Sequence, residues 1–151
     1  KLAFPAAVAG AALLAAVRLS RPGVALRRAP LLLAAPVLAL WALAAAALAG
    51  APAASREAMV LGHTASVCPW NIALMSVPTF VLALWAMHGL APTRPVVSGA
   101  ASGLLGGAVG ALAYALHCPE MDAPFLAVWY VAGMLIPTAV GALVGPYVLR
   151  W

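Results

Sequence analysis

The chain's 151 residues fall within the length of one domain, yet 66% are hydrophobic, only 7% are charged and the mean hydropathy is +1.08. A water-facing surface needs about 25% charged residues, so cytosolic enzymes, secreted disulfide scaffolds and disordered tails are excluded. The net charge of +5 comes from basic residues scattered between apolar blocks, which form no stripe for nucleic acid and instead suit the sidedness of a membrane protein.

Spanning a bilayer as a helix takes about 20 mostly apolar residues. Five stretches approach that length: residues 2–17, 30–50, 69–87, 96–116 and 124–149. Ala, Leu and Val dominate them without the alternation of a barrel strand, which predicts an all-α, polytopic transmembrane bundle of five helices. Pro and Gly punctuate the joins, at Arg21-Pro22-Gly23, Ala91-Pro92 and Arg94-Pro95. The first stretch is short and opens at Lys1 without an initiator Met, so Lys1 reads as a fragment boundary with protein missing upstream.

The loops set an orientation. Arg18, Arg21, Arg27, Arg28, Arg94 and Arg150 fall on one side. Lys1 and Arg56 fall on the other, together with Glu57, Glu120 and Asp122. The positive-inside bias puts the first loop, the third loop and the C-terminus in the cytoplasm, and Lys1 outside. A cytoplasmic natural N-terminus then needs one more helix upstream.

Within the fourth stretch, Gly99, Gly103 and Gly107, with Gly106 and Gly110, overlay small-xxx-small patterns, and Gly141 and Gly145 repeat one in the fifth. Such faces let helix backbones approach closely, and packing inside the chain is the simplest use of them. Trp70, Trp129 and Tyr130 on one side, and Trp85, Tyr147 and Trp151 on the other, read as interface belts, whereas mid-span Trp41 is expected between helices. Pro36, Pro78 and Pro137 lie inside spans, where kinks are expected.

No Asp, Glu, Lys or Arg lies deep in any stretch, which argues against a pump or proton-coupled transporter. Asn71, Ser76, Thr79, Tyr114 and Thr138 are the main polar groups there, and they compose no nucleophilic arrangement; the chain does not read as an enzyme. The chemistry concentrates in two cysteines. Cys68 just precedes the third stretch and Cys118 follows the fourth, each just before a proline, and antiparallel helices put both at the outer face. His117 adjoins Cys118 and His63 lies five positions before Cys68. Two sulfurs suit Cu(I) or another thiophilic metal, and adding both imidazoles would satisfy tetrahedral zinc. A fixed disulfide fits the same spacing, as does an inert pair. His88 reads as a solvated loop-end residue, Glu120 as a loop charge and Asp122 as a helix cap.

The stretch Tyr114-Ala-Leu-His117-Cys118-Pro119-Glu120, then Phe125, Trp129-Tyr130, Gly141, Gly145 and the closing Leu149-Arg150-Trp151, resembles the NrsF family of bacterial inner-membrane negative regulators of sigma F. Cys68 before a proline-containing span, and Ala91-Pro92-Thr93-Arg94-Pro95 before the Gly-rich segment, fit as well. The resemblance implies six helices in the complete protein and a cytoplasmic N-terminal region that holds an extracytoplasmic-function sigma factor inactive. It further implies that Cys68 and Cys118 answer heavy-metal stress. The first helix and the cytoplasmic region would then be missing from residues 1–151. Two rival expectations are a small transporter or export component, and a membrane scaffold with a structural disulfide.

Overall fold

The structure, a computed structural model, describes residues 1–21 and 29–150. Arg27, Arg28, the Pro22-Gly23 join and Trp151 lie outside the described residues. Within them the chain forms six helices and no strand: α1 (Ala3–Leu19), α2 (Ala29–Gly50), α3 (Ala53–Leu61), α4 (Cys68–His88), α5 (Pro95–His117) and α6 (Ala123–Val148). The all-helical expectation is met. α2, α4, α5 and α6 are long and apolar enough to cross a membrane. α1 has 17 residues, which at 1.5 Å each covers about 26 Å, a little under the ~30 Å hydrocarbon core.

Five of the six helices coincide with the five apolar stretches, and α3 is additional. It occupies what reads from the sequence as a plain loop. Its nine residues include Arg56 and Glu57, none is buried, and Pro52 precedes it at the position before the first turn. The helix lies at the end of the bundle where α4 begins, and its Val60 carbonyl accepts a 2.8 Å hydrogen bond from Trp129 Nε1.

α5 is the central helix, packed against α1, α4 and α6. Of its most apolar 18 residues 56% are buried, against 11% for α2, which lies on the periphery. The glycines explain that position. A side chain on Gly99 or Gly103 would run into the backbone of Gly141 or Pro137 on α6. On the next face, Gly106 lies against Phe80 and Gly110 against the Ile72 carbonyl of α4, where an added Cβ would come within 2.8 and 2.6 Å. The small residues therefore serve packing inside the chain, on two faces of one helix at once.

The outward faces carry large apolar side chains: Leu31, Leu38, Leu74, Leu82, Leu116 and Leu143 are all exposed. A surface of that kind fits a lipid surrounding. Trp70, Trp85 and Tyr147 point outward as expected of belt residues. Tyr130 does not; it is fully buried, and the belt expectation for it is corrected. Trp41 reaches across from α2 and donates to the Ala127 carbonyl at 3.2 Å. Ala127 lies in a π-helical turn, Leu126–Tyr130, within α6. Pro36, Pro78 and Pro137 sit inside continuous helices, joined by Pro146.

Candidate functional site: a buried thiol pair

Antiparallel α4 and α5 bring the start of one helix beside the end of the other. Cys68 is the first residue of α4, with Pro69 in the first turn, where a missing N–H costs nothing. Cys118 caps α5 in an extended conformation (φ −66°, ψ 128°), as the proline that follows requires. Both are free thiols, both are buried, and both belong to one cluster with Ile72, Ala111, Tyr114, Phe125 and Tyr130. Cys68 and Cys118 thus lie in one buried cluster at the same end of the bundle.

The residues between α3 and α4 close over them. Thr64 Oγ1 lies 3.9 Å from Cys118 Sγ, and the Thr64 carbonyl accepts the Cys68 N–H at 2.9 Å. The Tyr114 hydroxyl meets Cys68, Thr64 and Asn71, so one phenol touches both walls of the pair. The ring of Tyr130 tilts at 52° to that of Tyr114, with centroids 6.0 Å apart, and its hydroxyl neighbours Cys118. From the first helix, Lys1 Nζ donates to the Cys118 carbonyl.

Glu120 holds this cover in place. It is buried, and its Oε1 accepts the His63 N–H at 2.7 Å. Gly62 stands beside it at φ +54°, a left-handed conformation, so close that an added Cβ would meet Phe125 and Glu120 at 2.7–2.9 Å. Reading Glu120 as a solvated loop charge missed this, because no spacing in the sequence links position 120 to position 63.

The histidines do not join the sulfurs. His63 and His117 are exposed, and among the described residues no group of three His, Cys, Asp or Glu side chains converges on one point. A tetrahedral Cys₂His₂ set is therefore not assembled. The reason is local: His117 ends α5 on its exposed side, and the chain turns extended at Cys118, which is buried. Met121 is likewise exposed. Two soft sulfurs in an apolar interior still suit a thiophilic ion with low coordination, Cu(I) foremost. Asp122 stands at the start of α6 but makes no side-chain cap bond, and His88 Nδ1 pairs with the Val148 carbonyl at 2.7 Å, tying α4 to the end of α6.

The family profile described as NrsF, negative regulator of sigma F, matches residues 1–151. A protein of Azospira oryzae named "Probable anti-sigma-F factor NrsF" is 49% identical over 151 residues, which cover 100% of this chain and 71% of that protein. "Anti-sigma-F factor NrsF" of Caulobacter vibrioides is 39% identical over 140 residues, or 91% of this chain and 65% of that protein. No solved structure matches.

Proposed function

This chain belongs to the NrsF family of negative regulators of sigma F, and on that premise we propose that it is the membrane portion of an anti-sigma factor, switched by a buried thiol pair. The full protein holds an extracytoplasmic-function sigma factor inactive through a cytoplasmic N-terminal region. It sits in the bacterial inner membrane, with Cys68 and Cys118 toward the periplasm and the C-terminus in the cytoplasm. Its role is regulatory, and it performs no catalysis.

The observation that carries the reading is the burial of two thiols from two helices in one otherwise apolar cluster. A thiophilic ion, copper foremost, supplies bonds to both sulfurs when present. Cys68 and Cys118 would hold it, and Thr64 and Tyr114 border the same space. An oxidant acts on the same pair by drawing the sulfurs into a disulfide. Either event favours whichever arrangement of the α4 start and α5 end sets the two sulfurs at bonding distance. α5 packs on α1, α4 and α6, the last two through close backbone faces, so a shift at its outer end is passed to its neighbours. That shift loosens the cytoplasmic grip on the sigma factor and permits transcription of stress genes.

The transporter reading draws no support from the cavities. One of about 480 Å³ between α2 and α6 is lined by Trp41, Leu48, Val60, Val131 and other apolar residues. The test uses the full-length protein with a reporter for the regulated promoter. Replacing both cysteines by serine abolishes induction by copper and by oxidant; an undiminished response removes the thiols from the mechanism.

A further inference from the structure

Among the described residues, two buried side-chain polar atoms meet no hydrogen-bond partner: Tyr130 Oη and Ser98 Oγ. An unpaired buried hydroxyl lowers stability, and phenylalanine would fill the Tyr130 space without it. Ser98 lies in α5 near its inner-face start, remote from the sulfurs. Tyr130 lies among them. Its side chain is fully buried and its hydroxyl lies beside Cys118, close enough to interact but outside good hydrogen-bond geometry.

The backbone of α6 is built to put it there. The π turn Leu126–Tyr130 ends at this residue. One extra residue in a helical turn rotates the positions after it, and such turns gather at functional sites. Tyr114, the other phenol of the cluster, lies beside Thr64, Asn71 and Cys68 and is not among the buried unpartnered hydroxyls. Tyr130 keeps its donor unspent.

We propose that Tyr130 is a positioning residue of the thiol site: its hydroxyl donates a hydrogen bond to the Cys118 sulfur once that sulfur carries a thiophilic ion. The inference rests on the thiol-site reading above. A sulfur bonded to a metal bears more negative charge than a thiol and is the better acceptor, so the bond forms in the loaded state. Groups that hydrogen-bond to metal ligands raise affinity by orienting them. The unpaired hydroxyl of the ion-free fold thus becomes a contribution to the bound one.

The test uses the whole chain in detergent and Cd(II) alone as probe. The sulfur-to-cadmium absorption band reports binding, and competition with a chelator gives affinity. Tyr130→Phe is expected to bind Cd(II) about tenfold more weakly while its ion-free melting midpoint stays level or rises. Ser98→Ala likewise holds or raises the midpoint and leaves Cd(II) affinity unchanged. Unaltered affinity in Tyr130→Phe overturns the inference alone, and so does a lowered ion-free midpoint, which would make the hydroxyl a structural bond. Absence of the cadmium band from the unmodified chain overturns the thiol-site reading, and this inference with it.

Discussion

The carboxylate of Glu120 accepts the backbone N–H of His63 at 2.7 Å, across 57 positions of sequence. This bond fastens residues 62–67 over Cys68 and Cys118. Without it the His63 N–H loses its charged partner, and hydrogen bonds to charged groups contribute about 1.5–3 kcal/mol. Glu120→Ala is therefore expected to raise the rate at which a small maleimide alkylates the two thiols, by about tenfold. Glu120→Gln keeps an acceptor and falls between. Equal alkylation rates in all three proteins would show that residues 62–67 do not control access.

Gly103 faces the Pro137 carbonyl with no room for a methyl group, whereas Gly10 on α1 meets nothing within 4 Å. The same chemical change should act in opposite directions at the two sites. Gly103→Ala forces α5 from α6 and is expected to destabilise the bundle by about 1–3 kcal/mol, the usual cost of overpacking. Gly10→Ala gains helix propensity and is expected to stabilise by roughly 0.5–1 kcal/mol. Unfolding midpoints in detergent check both.

Ser55 on α3 is half-buried and Thr93 before α5 is exposed, at opposite ends of the bundle. In a background with Cys68 and Cys118 replaced by serine, Ser55→Cys is expected to react with an impermeant maleimide in spheroplasts. Thr93→Cys should react only after the membrane is permeabilised. The reverse pattern would put the thiol pair on the cytoplasmic side and invert the proposed topology.

The spans were legible because length and hydropathy determine what lipid can solvate. Likewise Cys68 and Cys118 could be brought together by antiparallel connectivity alone. Other features depend on contacts that no spacing encodes. α3 is too short and too polar for a span signal, and its Val60 carbonyl is engaged only through Trp129 of a distant helix. The π turn has no composition of its own, and Tyr130, its last residue, is buried where its place in the chain suggests a belt residue. His63 and His117 show the converse. Nearness to a cysteine in sequence suggests ligands, yet His63, in the turn between α3 and α4, and His117, at the end of α5, are both exposed.

The central claim is that Cys68 and Cys118 act on one ion together, and X-ray absorption of the Cd(II)-loaded full chain tests it most directly. Two sulfur neighbours around a single cadmium, with the signature lost in Cys68→Ser and in Cys118→Ser alike, is the predicted result. A cadmium surrounded only by oxygen and nitrogen, or a sulfur signature that survives removal of either cysteine, would contradict it.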